Sequence, residues 1–405
     1  MKKIAMFTMG TRGDVQPYID LSQALIKNGY DVILGSHPCW KNLIESYNIN
    51  FMPIGPDIDI DKEAAIIRGK NKNPALSMLK TMKFVFDIIV SSSEDVFEVC
   101  KGKDLIIVSH AQMGATEAEV LGIPTINITL QTEMIPQTLK KQSLFESLCG
   151  KMIAGQIAKP YNRIRKKYRL KPVKDIGKVM SQHYDLIPIS KYVKERNPYW
   201  EAHHVLTGFW YQEDKQFQPD NNLSAFLKEG EKPILLALGA MSFEDKEEIE
   251  KLDKFVKAFV KTGNRAIIQG FQKSLQNYKL PESMISIGAV PHSFLFHECK
   301  TVIHHCGFGT SSATLIYGIP SIPMPHVLDQ IGQADMLIGL GVAGKKIDGH
   351  KFTEDDIIFA IQEMDSSYFE RKQRVEALSK KIREEDGLGN AMKYIDGVLT
   401  SSICE

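Results

Sequence analysis

The chain has 405 residues, of which 43% are hydrophobic and 24% charged, and a formal net charge of +1. That length exceeds one ordinary core and implies two domains of about 200 residues, while the balanced charge gives no reason to expect a nucleic-acid partner. Six cysteines without CxxC or other metal spacing, an N-terminus too poor in apolar residues for a signal peptide and no long apolar window together lead to the expectation of a soluble cytoplasmic protein.

In chain order, Lys3 to Thr8 reads as a buried strand, followed by the loop Gly10 to Pro17 and a helix from about Tyr18 to Lys27. Asp31 to Leu34, Phe51 to Ile54, Leu105 to Val108 and Thr125 to Ile128 continue the short apolar strands, with an amphipathic helical run from Pro74 to Val99 among them. Alternation of strand and helix implies a parallel sheet covered on both faces. Trp210 to Asn222 brings charge, Pro and Asn together and reads as a linker. A second alternation starts at Pro233 to Gly239 and runs through a helix from Glu244 to Lys261 and a strand from Ala266 to Gln269. The tail from Ser366 to Leu399 reads as two helices. The domains are therefore expected at 1–210 and 226–385, with a linker at 211–225 and a last segment at 386–405.

The densest functional signal is 302–334, VIHHCGFGTSSATLIYGIPSIPMPHVLDQIGQA. A β-branched strand, Thr301 to Ile303, runs into a turn with Gly307 and Gly309, then Thr310, Ser311 and an apolar-periodic helix. Strand, glycine-rich turn and helix put backbone N–H groups and a helix dipole where an anion can approach closely, so a phosphate or diphosphate is the natural guest. The spacing has no Walker lysine and is not GxGxxG, which excludes an ATPase or an ordinary dinucleotide loop. Asp329 and Gln330 follow a second strand, Ser321 to Met324, at the sheet edge where α/β proteins bind ligands. Asp14 takes the equivalent place after the first strand. On residues alone Asp14 is either a helix cap or a base.

These motifs resemble glycosyltransferase family 1, whose members carry HHGGxGT or HCGWNS, then GxP, then DQ, on the GT-B fold. The likeness is closest to the sterol glucosyltransferase and bacterial natural-product branch, where GTRGDVQPY is nearly matched as well. The resemblance implies an α/β GT-B architecture: two Rossmann-like domains facing across a cleft, the last helix crossing back to the first. It implies an inverting transfer of a hexose, glucose from UDP as the preferred donor, to a hydroxyl of a small lipophilic acceptor such as a sterol, flavonoid or macrolide. Asp14 is then the general base. His305 and the helix start at Gly307, Gly309, Thr310 and Ser311 hold the diphosphate, and Asp329 and Gln330 bind sugar hydroxyls. Val290 and His292, in Ala289 to His292, meet the nucleobase. Gly239 stands in a GSM motif that here reads Gly239-Ala240-Met241, with Ser242 as a loosely held substitute for the missing serine.

His110, Gln131 and Met134, each in a loop after a predicted strand, are candidate acceptor contacts. No cofactor and no essential metal are expected, although Asp57, Asp59 and Asp61 form a DxD-like run that reads better as a solvated acidic loop. Ten lysines and arginines between Lys140 and Lys171 face one acid, Glu146. The preferred reading is a solvated basic helix over the acceptor pocket, the other a weak peripheral contact with membrane. A monomer or weak dimer is expected. Two other functions share these motifs: a non-catalytic nucleotide-sugar-binding partner of another transferase, and a sugar-nucleotide epimerase that works without acceptor.

Overall fold

The computed structural model describes residues 1–58, 74–130, 132, 135, 144–174, 184–214, 217–239, 245–326 and 328–401. The chain divides into two compact units, Met1–Tyr211 with Asp386–Glu405, and Gln212–Glu385. Within the expected linker the helix Asn221–Lys228 already begins, capped by Asp220, whose carboxylate accepts from Leu223 N–H at 2.8 Å.

The first unit holds a parallel sheet of seven strands, β1 (Lys3–Phe7), β2 (Asp31–Ser36), β3 (Asn50–Pro53), β4 (Leu105–Ser109), β5 (Thr125–Ile128), β6 (Asp185–Ile187) and β7 (His204–Leu206), in the order β3-β2-β1-β4-β5-β6-β7. The second unit holds five parallel strands, β8 (Ile234–Ala237), β9 (Ala266–Gln269), β10 (Met284–Ile287), β11 (Thr301–His304) and β12 (Ser321–Pro323), in the order β10-β9-β8-β11-β12. Strands buried on both faces must be apolar throughout. Leu236, Ile268, Ile303 and Ile322 enter one core with Phe255, Phe259 and Ile361, while Leu235, Ile267 and Val302 enter another with Leu295, Phe296 and Ala313. In each sheet the chain order reverses between two central strands, β1 and β4 in the first, β8 and β11 in the second. Loops at the carboxyl ends of those strands are where such sheets leave a crevice.

The helix Gly387–Ser401 belongs to the first unit. Its first residue lies so near the backbone of Gly208 and Phe209 that a Cβ would stand 2.3 Å from Phe209 O, and Asn390 Nδ2 donates to Thr207 O at 3.1 Å. The expected run Pro74 to Val99 is two helices, Pro74–Ser91 and Ser93–Cys100.

In the basic segment, Arg165 is buried and paired through both terminal nitrogens with Glu119, and Lys167 pairs with Glu94. Lys159, Arg163 and Lys166 are exposed on the helix Leu144–Lys167, while Ala158, Tyr161 and Ile164 face the core. Among the described residues no helix is long and apolar enough to cross a membrane.

Candidate active site

Each unit carries a candidate site at its own strand reversal. In the first, β1 leads through Thr8, Met9 and Gly10 into the helix Arg12–Lys27 (α1). Helix α1 begins six residues before the expected Tyr18, because Thr11 and Asp14 cap it. Asp14 Oδ2 accepts from Thr11 N–H at 2.9 Å and from Thr11 Oγ1 at 3.0 Å. Pro17 sits inside the helix rather than bounding it. Gly10 makes room for this arrangement: its φ is +127°, and a Cβ there would lie 2.4 Å from Asp14 Oδ2. Trp40 Nε1 donates to Gly10 O at 3.1 Å, which fixes the loop from the other side. Asp14 thus has the capping role that its position allows. Capping does not disqualify it as a base, since two bonds on one oxygen do not use up the roughly four acceptor positions of a carboxylate.

Beneath Asp14, Tyr18 is 1% exposed. Burial pushes its phenol well above the usual range, and the Asp14 and Asp185 carboxylates raise it further. His110 follows β4 on the other side of the reversal, half-buried, its Nδ1 without a hydrogen-bond partner among the described residues. Gln131, Met134 and the acidic residues from Asp59 to Asp61 lie outside the described residues.

In the second unit the reversal brings Gly239, after β8, against His305, after β11. Gly239 has φ +63°, and a Cβ there would stand 2.5 Å from His305 Cε1. From the opposite side a Cβ on Gly307 would stand 2.4 Å from His305 Nε2. The imidazole is therefore clamped between two residues that lack side chains, with Nδ1 3.5 Å from Ala237 O. Cys306, at φ +63°, turns the chain so that its N–H donates to His304 Nδ1 at 3.2 Å. His304 is fully buried; burial, then the charges of His305 and His292, push its imidazole down to about 3, so it is neutral.

The helix Phe308–Ile316 starts at once after the clamp, with Gly307 as its N-cap residue. Ser311 N–H is already bonded to Gly307 O at 2.9 Å and the Ser311 side chain is buried. Gly309, exposed, and Thr310, half-buried, occupy the first turn, where N–H groups have no partner within a helix. The group read as Gly309 to Ser311 thus narrows at the surface to Gly309 and Thr310.

Past β12, Gln330 is buried and its Oε1 accepts from His326 N–H at 2.8 Å. It holds the turn into the helix Leu328–Gly339. His326, absent from the sequence reading, is 4% exposed and pushed down to about 3 by burial, then by Lys251, His305 and His350. Its proximity to His305 makes it a neighbour of the clamp. The local signal was the histidine itself, three residues before Asp329, but nothing in the sequence indicates its burial. Asp329 lies in that helix, its side chain outside the described set, and Ser242 falls outside the described residues. His292 opens the helix His292–Glu298 and stacks on Phe296 at 4.5 Å, and Val290 packs on the core that Phe296 shares.

Known proteins bear on this arrangement. Residues 4–126 match the model of the glycosyltransferase family 28 N-terminal domain, and residues 259–385 that of the erythromycin biosynthesis protein CIII-like C-terminal domain. The chain is 27% identical to a sterol 3-beta-glucosyltransferase of Saccharomyces cerevisiae, over 97% of this chain and 35% of the relative, and 26% identical to one of Arabidopsis thaliana, over 96% and 64%. It thus spans less than two thirds of the length of either. Among solved structures, the glycotransferase of kitacinnamycin superposes with a TM-score of 0.76 at 17% identity, covering 98% of each chain. Glycosyltransferase VinC in complex with DTDP gives 0.70 at 16%, covering 98% of this chain and all of that one. Two parallel-sheet units, a strand-reversal site in each and these matches agree on a GT-B fold, and in sequence the chain is similar to glycosyltransferases of the sterol and natural-product branch.

Proposed function

We propose that this protein transfers a hexose, glucose in the first instance, from a nucleoside diphosphate to a hydroxyl of a small lipophilic acceptor, with inversion at the anomeric carbon. UDP is the carrier put forward and dTDP, named for one structural relative, its competitor. In this scheme Asp14 takes the proton of the acceptor hydroxyl as its oxygen bonds to the anomeric carbon. The bond from that carbon to the β-phosphate oxygen breaks, and the diphosphate leaves with the electron pair. His305 and the first-turn N–H groups of Gly309 and Thr310 stabilise the charge that develops there, a preorganised electrostatic role. No metal is required in this reading, and Asp329 with Gln330 orients the sugar.

The observation that carries the proposal is the His305 clamp. Two glycines and a helix N-terminus converge on one imidazole at a strand reversal, which sets the ring beside the first turn of a helix. The sterol 3-beta-glucosyltransferases among the relatives favour a sterol-like acceptor.

The test is mass spectrometry of products after incubation with UDP-glucose, chelator and a panel of sterols, flavonoids and macrolides. An acceptor heavier by one hexose is the expected result. Transfer that stops in chelator and returns with Mg²⁺ or Mn²⁺ refutes the metal-free scheme. A change in the nucleotide sugar that needs no acceptor points to an epimerase, and nucleotide-sugar binding without any reaction points to a silent partner protein.

A further inference from the structure

Asn127 of β5, Asp185 of β6 and His204 of β7 are directly opposed in the parallel register of the first sheet. Their side chains bond in sequence: Asn127 Nδ2 donates to Asp185 Oδ1 at 2.7 Å, and Asp185 Oδ2 lies 3.0 Å from His204 Nδ1. At the inner end Gln112 Nε2 donates to Asn127 Oδ1 at 2.7 Å and to Ser109 O at 3.1 Å. Gln112 is 3% exposed, Asn127 and Asp185 4% each. At the outer end His204 lines an open surface pocket of about 610 Å³.

A polar rung inside a sheet is costly to bury unless every member is paired, and apolar residues would fill it without that cost. The pairing here has a direction. Asp185 Oδ1 accepts the Asn127 side-chain N–H, which leaves that amide's carbonyl turned toward Gln112. Gln112 must then donate, and it does so from φ +53°, a left-handed conformation that tertiary contacts have to hold. It lies in the turn that follows β4 beside β1, and Tyr161 OH pins the same turn by donating to Ala111 O at 2.7 Å. Between those fixed points stands His110.

We propose that the ladder Asp185–Asn127–Gln112 holds the 109–114 turn, and with it His110, in place to receive the acceptor, so that Gln112 and Asn127 are positioning residues. This rests on the reading of the first unit as the acceptor half.

Gln112→Met keeps the side-chain length and removes both donated bonds. Asp185→Asn preserves the ladder, since the new amide can donate to a His204 that carries its proton on Nε2. Hydrogen exchange by mass spectrometry on Gln112→Met is expected to show amides of 109–114 exchanging about tenfold faster, with the second unit unchanged. Acceptor KM is expected to rise by about tenfold, with donor KM and UDP binding within about twofold of wild type. Asp185→Asn is expected to behave as wild type in both assays. If Gln112→Met does not fold, Asn127→Ser, which breaks the same chain, replaces it. Unchanged exchange in the turn, donor and acceptor KM rising together, or an Asp185→Asn as damaged as Gln112→Met would each overturn the proposal. Wild-type protein that binds UDP but transfers nothing would count against the reaction proposed above, and the exchange arm would still decide whether Gln112 holds the turn.

Discussion

The His305 clamp can be tested by filling it. Gly307 has φ −63° and ψ 150°, a conformation open to alanine, so Gly307→Ala probes space alone. Its Cβ would lie 2.4 Å from His305 Nε2, 3.2 Å from Cε1 and 3.3 Å from Cδ2. Atoms of this kind sit comfortably at about 3.5 Å, so the ring must retreat by roughly 1 Å. A side chain can rotate away without unfolding its surroundings. The loss of stability should therefore stay below about 1 kcal/mol, offset in part by the stiffer unfolded chain. On the proposed function, what is lost is the imidazole bond to the diphosphate. A hydrogen bond to a charged partner contributes about 1.5–3 kcal/mol, which is about 10- to 150-fold in affinity. Calorimetric titration with UDP of Gly307→Ala, His305→Ala and the double variant forms a cycle. If the glycine acts only through the imidazole, the double variant binds within about twofold of His305→Ala. A Gly307→Ala protein that binds UDP like wild type, or a double variant another tenfold weaker than His305→Ala, refutes the clamp. Gly239→Ala is the contrasting case: its φ of +63° adds about 1–2 kcal/mol of backbone strain, so stability and binding should fall together.

Asp14→Asn can still accept from Thr11 and should cost about 0.5–1 kcal/mol of stability, yet lower kcat by about 10²- to 10⁴-fold, as steady-state kinetics and a thermal melt on the same sample would show. A fall of kcat by less than about tenfold would leave Asp14 a cap and no more. Burial raises Asp20 to about 7 against an ordinary 3.8, so the folded state holds a proton that the unfolded state sheds as pH rises through that window, and stability falls with it. The gain of Asp20→Asn over wild type in denaturant melts should therefore be small at pH 4, grow toward pH 7 and level off above it, reaching on the order of 4 kcal/mol; a pH-independent difference would show that Asp20 does not titrate there. On the basic helix, Arg163→Glu with Lys166→Glu should leave the melting temperature and flotation with anionic vesicles unchanged, as for a solvated face. Vesicle binding at low salt that this pair abolishes would instead establish a membrane-facing surface.

Most of the fold can be read from the chain because a strand buried on both faces has to be a short run of Val, Ile and Leu, as in LIIVS of β4 and ILLA of β8. The strands that escape the reading are those that break the rule. β6 is three residues long and begins with a buried aspartate that only its cross-strand partners make tolerable. β10 has one middle residue, Ile285, half-buried and the other, Ser286, exposed. The sequence reading starts α1 at about Tyr18, whereas the Thr11–Asp14 bonds stabilise a start at Arg12 and leave Pro17 inside the helix.

The site divides along a similar line. Gly239 and Gly307 were legible because a loop packed this closely against an imidazole needs space, and glycine records the need for it. Gly10 belongs with them, as the space that Asp14 occupies. Ser311 and Gln330 were read by their hydroxyl and amide, which say nothing about direction; one is buried within its helix, and the other turns its carbonyl to His326 N–H. The same blindness hid Asn127, Asp185 and His204, three polar residues on separate strands that become a chain only once the register is known. A function that works through an absent side chain leaves its mark at one position of the sequence, whereas one that works through burial is distributed over the contacts of the fold. Substitutions at the glycines should therefore act locally on His305 and Asp14, and substitutions along the ladder should act at a distance, on His110.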